Sequence, residues 1–163
     1  MNNKRMSLEE LYYLLMSSWI YSIEKTRSEL LGENIAYTKR IGWNATEYIM
    51  EHLKTRCDMD MGGESPLEIM KSIVNCLEEV GFIKKGTVTI NSANDDVNIN
   101  ISGCGAEACK ELLKKGIMPN VCLRSIILDT LFEMVTHGGY SYNLHADPEK
   151  QPSGVCVTTL KKI

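Results

Sequence analysis

The sequence predicts an α+β fold in which N-terminal helices pack with antiparallel β-hairpins, two hairpins alternating with helices. Two observations predict it. Apolar residues recur at about 3.6-residue spacing as far as Gly81, then the period switches to 2 in "GTVTINSANDDVNINISG", residues 86–103. A second alternating stretch, "YSYNLHADPEKQPSGVCVTTL" at 140–160, follows two further helical segments. The order helices, hairpin, helices, hairpin implies one layer-packed unit. At 163 residues the chain is most simply a single domain, 1–163, long enough to bury a core.

Ser7 followed by Leu8-Glu9-Glu10 is a capping box, which satisfies free N–H groups at a helix start. The helix is expected to run to about Leu31, with Gly32 ending it. Leu11, Tyr12, Leu15, Trp19 and Ile23 form one apolar stripe, with Leu14, Ile20 and Tyr21 beside it. A surface helix needs only one such stripe. This helix is therefore either buried in its own domain or a dimer interface, which Tyr13 and Ile20 would test. Residues 1–60 form a helical N-terminal part with possible dimerisation.

A second helix is expected over about Tyr37 to Arg56, with period residues Ile41, Ala45, Tyr48, Ile49 and Leu53. "DMDMGGESP" reads as a loop, and Ser65-Pro66 starts a third helix that Gly81 caps. In the first hairpin, Val88 and Ile90, then Val97, Ile99 and Ile101, alternate with polar residues around a "SANDD" turn, leaving one wet face. "GAEACKELLKKG" is a short helix ending at Gly116, and a longer one runs from Pro119 to Gly138-Gly139. In the last hairpin Tyr140, Tyr142 and Leu144 are expected on one face, with Ser141, Asn143 and His145 on the other. Its return strand alternates Cys156 and Thr158 with Val155 and Val157.

Net charge is −3 and the basic residues are scattered in pairs, so no face is built to track phosphates and no direct nucleic-acid contact is expected. "LYYLLMSSWIYSI" is too short and mixed to span a bilayer, and Glu9 and Glu10 interrupt any signal-peptide reading. A cytoplasmic protein is expected, in which reducing conditions disfavour structural disulfides.

Three of the six cysteines fall within residues 104–122. Cys104, Cys109, Cys122, His145 and Cys156 all lie at ends or edges of expected elements, where side chains from different elements can converge. Zinc takes four thiolate or imidazole ligands in a tetrahedron and ties such elements together. The alternative is that these thiols are small buried hydrophobes. Cys57 and Cys76 lie elsewhere and read as loop or core, and His52 and His137 read as structural. Cys104 and Cys122 lie near helix N-termini, which lower thiol pKa, yet no base is paired with either. No catalytic residue is identified, and neither a phosphate loop nor a dinucleotide glycine pattern is present.

With those positions marked, the stretch from Cys109 to Cys156 resembles the 4-vinyl reductase domain family, also described as predicted hydrocarbon-binding domains. The resemblance covers the chain from the first hairpin onward, about 85–163. It implies the fold shared by vesicle-tethering TRAPP subunits and haem-based nitric-oxide sensors. In the family's phenol-sensing activators, a helix cysteine is followed, after twenty-two intervening residues, by a glutamate and then by two hairpin cysteines, which together bind zinc. Here Cys122 matches the helix cysteine, His145 falls at the glutamate position and Cys156 matches the last cysteine. Pro148 stands where the other cysteine would be, and proline cannot bind metal, so either the site is lost or Cys104 or Cys109 replaces that ligand, Cys109 being the preferred of the two.

The resemblance implies a structural zinc bracing an apolar pocket. The expected function is binding of a small apolar or aromatic ligand, in a regulatory or sensory role and in a homodimer. The alternatives are an accessory or catalytic component of a vinyl-group reductase, and an interaction module resembling the tethering subunits. The ligand-binding residues are not identified from sequence.

Overall fold

The computed structural model describes residues 7–32, 35–54, 61–93, 96–102, 107–117, 123–138, 140–145 and 156–162. Its elements, in chain order, are α1 (Leu8–Leu31), α2 (Ile35–Lys54), α3 (Pro66–Glu79), β1 (Val88–Ala93), β2 (Asp96–Ile101), α4 (Glu107–Lys114), α5 (Leu123–Thr136), β3 (Tyr140–His145) and β4 (Cys156–Lys162). The fold is α+β, with helices and an antiparallel sheet. Two compact units make up the chain: one comprises Met1–Asn34 with Gly105–Asn120, the other Ile35–Cys104 with Val121–Ile163.

In the second unit both hairpins join one sheet. The strand order is β1-β2-β4-β3, every described pair antiparallel, so β2 and β4 are central and β1 and β3 are edges. Along β2 burial alternates strictly, with Val97, Ile99 and Ile101 buried. That is the period-2 signal of a sheet covered on one face. Val88 and Leu160 join the same row through the pairs Val88↔Ile101 and Val97↔Leu160. Met70, Ile73 and Leu77 of α3 and Leu128, Leu131 and Phe132 of α5 complete the core.

Local chemistry explains the starts and stops. Ser65 is the N-cap of α3 in extended backbone, its hydroxyl accepting from the Glu68 N–H at 3.3 Å, with Pro66 opening the helix. Gly81 follows α3 with φ +75°. Only glycine takes that conformation without strain. α2 is described over Ile35–Lys54, two residues ahead of its expected start at Tyr37, and its expected end at Arg56 lies outside the described residues. α5 is described from Leu123, so its expected start at Pro119 lies outside the described residues.

α5 is buried without interruption from Ser125 to Phe132. A helix buried all round needs partners on several sides, and α5 packs against α2, α3 and β3. It comes close to α2 at Gly42, where an added Cβ would lie 1.7 Å from Ile126 Cγ2.

In the first unit α4 packs along α1 and buries Ala108 and Leu112. Lys115 donates to Tyr21 Oη at 2.6 Å, its ammonium 4.9 Å from the same ring's centre. The apolar stripe of α1 does not make it a buried helix. Tyr12, Tyr13, Leu14, Leu15, Met16 and Trp19 are all exposed, Trp19 at 61%. The buried positions of α1 are instead polar: Glu24 at 1% and Arg27 at 3%, paired at 3.4 Å one helical turn apart. Arg27 also donates to the Gly32 carbonyl that ends the helix.

Candidate functional site

Antiparallel pairing brings three strand ends to one end of the sheet. β2 finishes at Ile101, which pairs with Cys156, the first residue of β4. β3 finishes at His145, which pairs with Val157, the next residue of β4. His145 and Cys156 are therefore offset by one register position at the closing end of the last hairpin, and strand alternation assigns these two positions to opposite faces of the sheet.

The start of α5 is tied to the same place. Thr158 Oγ1 donates to Ser125 Oγ at 2.8 Å, a buried bond between β4 and the first turn of α5. Thr158 in turn pairs with Leu144, the neighbour of His145. In sequence, Cys122 precedes Ser125 by three residues and Cys156 precedes Thr158 by two. Cys104 follows Ile101 by three. Cys104 and Cys122 themselves, and Pro148, lie outside the described residues.

Cys109 is a half-buried thiol on α4. Cys76 is half-buried on α3 and packs against the core, as expected of a structural cysteine. Cys57 lies outside the described residues. His137 is exposed after α5 with φ +54°, a helix-ending position. Among the described residues no three His, Cys, Asp or Glu side chains form a metal-binding group.

Sequence reasoning passed over the polar residues of α5. Arg124 is half-buried in its first turn, and its buried Nη1 has no hydrogen-bond partner among the described residues. Asp129 is only 7% exposed. Burial pushes its carboxyl up to about 7; Lys39 of α2 opposes that rise and Glu133, one turn on, adds to it. The available signal was a carboxylate and two hydroxyls inside the apolar run "SIILDTLF". Polar groups in an all-buried helix need partners or a function.

No described helix is long and apolar enough to cross a membrane. No family model matches the chain, and no curated protein matches it.

Proposed function

We propose that this chain is a small-molecule-binding module braced by a structural zinc ion, the ligand being apolar or aromatic. One observation carries the zinc: the Ser125–Thr158 hydrogen bond, which fixes the start of α5 to β4 where β2 and β3 also end. Four donors, Cys104, Cys122, His145 and Cys156, each lie within three residues of this junction in sequence. Three thiolates and an imidazole are a zinc donor set without an open position, the structural kind; His145, at the last position of β3, would have to turn towards the face of Cys156 to join it.

Two further points support the reading. Cys104 follows the end of β2 by three residues and Cys109 by eight, which favours Cys104 over Cys109 as the replacement for the ligand lost at Pro148. The orphaned Nη1 of Arg124 suits the site's charge, because three thiolates around a divalent cation leave a net negative charge that a guanidinium complements. Zinc here would hold four chain segments together and take no part in a reaction.

The ligand half of the proposal rests on the family resemblance of residues 85–163. A thermal-shift screen of apolar and aromatic compounds tests it. A ligand present at a hundred times its dissociation constant should add about 2.7 kcal/mol of stability. A screen with no stabilising compound would remove this half and leave the zinc half standing.

A second reading, an interaction module that assembles as a homodimer, is favoured by the exposed aromatic first half of α1. Contiguous exposed apolar surface of this kind marks association sites. Replacing Tyr13 and Ile20 together by Glu should shift the molecular mass in light scattering towards that of one chain. An unchanged mass would exclude α1 as the interface.

A further inference from the structure

We propose that the outer edge of β1 and the groove between it and α3 form a docking site for an extended peptide. The peptide would be a segment of a partner protein that alternates apolar and acidic residues and adds to the sheet as a fifth strand. This inference is independent of the zinc and of the proposed small ligand.

The backbone shows that the edge is open. Ser102 N–H donates to the Thr87 carbonyl at 2.8 Å, and these two residues extend the β1–β2 register by one step. In an antiparallel ladder, hydrogen-bonded and non-bonded pairs alternate. Thr89 and Asn91 therefore direct their N–H and C=O groups towards β2, while Val88, Ile90 and Ser92 direct theirs outward. β1 is an edge of the described sheet, and among the described residues no backbone group bonds the outward groups of Val88 or Ile90. Such a row is a template for strand addition.

Beside this edge lies a groove of about 430 Å³. Val74 of α3 with Val88 and Ile90 of β1 supply its apolar lining. Lys71 and Lys85 line it as well, both exposed. The one acid among the lining residues, Glu78, already accepts the Gly86 N–H at 2.8 Å. That bond and the Thr87 N–H to Lys84 carbonyl bond at 3.1 Å hold the turn carrying Lys85 in place before any ligand arrives. The site thus offers backbone pairing, an apolar lining and two cations, which select an extended apolar–acidic segment. Charge complementarity excludes a basic segment of the same shape.

The test uses the full chain and fluorescent hexapeptides in anisotropy titrations. A peptide of alternating valine and glutamate should bind saturably. The same peptide N-methylated at alternate amides, and its valine–lysine counterpart, should each bind at least about tenfold more weakly, one lacking pairing donors and the other the right charge. Lys71→Glu with Lys85→Glu, both exposed, should reverse the preference between the glutamate and lysine peptides. Absence of saturable binding by the valine–glutamate peptide would overturn the proposal. Equal binding by the N-methylated peptide would overturn strand addition.

Discussion

Thr158 Oγ1 of β4 donates a hydrogen bond to Ser125 Oγ of α5 at 2.8 Å, and both residues are buried. The bond joins segments 33 residues apart and fastens the first turn of α5, at the start of its buried run, to the central strand β4. Thr158→Val leaves the Ser125 hydroxyl buried without its partner and should cost about 1–3 kcal/mol in chemical denaturation. Adding Ser125→Ala removes both polar groups, so the double variant should be less destabilised than the sum of the singles. Additive losses would mean that the two hydroxyls do not depend on one another.

The crossing of α2 and α5 depends on the missing side chain of Gly42. Alanine is the better helix former by about 1 kcal/mol. At this position, however, its Cβ would lie 1.7 Å from Ile126 Cγ2, which forces the helices apart. Gly42→Ala should therefore destabilise the protein by about 1–3 kcal/mol despite its propensity. Ile126→Ala removes the clashing methyl, so the pair should show favourable coupling in a double-mutant cycle. A stabilising Gly42→Ala would contradict the close approach.

Asp129 makes stability depend on pH in a defined direction. Burial raises its pKa from 3.8 to about 7, so between these values the folded state holds a proton that the unfolded state has released. Stability contributed at this site is then present at low pH and falls as pH rises from about 4 towards 7. Asp129→Asn should remove that fall and stabilise the protein at pH 8 by up to about 3 kcal/mol. Parallel urea titrations of both proteins at pH 5 and pH 8 check this. An equal loss of stability on substitution at both pH values would assign Asp129 a partner stronger than its burial penalty.

The hairpins and most helix limits were legible because their causes are local. Alternation in "VNINI" sets which residues of β2 are buried, and Ser65-Pro66 and Gly81 frame α3 through capping and a positive φ. The joining of the two hairpins through β2 and β4 was not legible. Period fixes which residues share a face of a strand, and the choice of neighbouring strand is made by tertiary packing. Between the two expectations for α1, a buried helix or an interface, the period could not decide. Its apolar stripe has the spacing of a buried face, yet Tyr13 and Trp19 are exposed while Glu24 and Arg27 are buried. A charged pair one turn apart carries no hydrophobic signal, although removing one member of such a buried pair costs several kcal/mol. For the candidate site, the sequence offers the cysteines and His145 as proposed donors, whereas the Ser125–Thr158 bond was not legible.

The proposed zinc site is tested most directly by elemental analysis of untagged protein alongside Cys122→Ser, Cys104→Ser and Cys109→Ser. The account predicts about one zinc ion per chain, lost or much reduced in the Cys122 and Cys104 variants and retained in the Cys109 variant. Wild-type protein without zinc, or with zinc that all three variants retain, would contradict it.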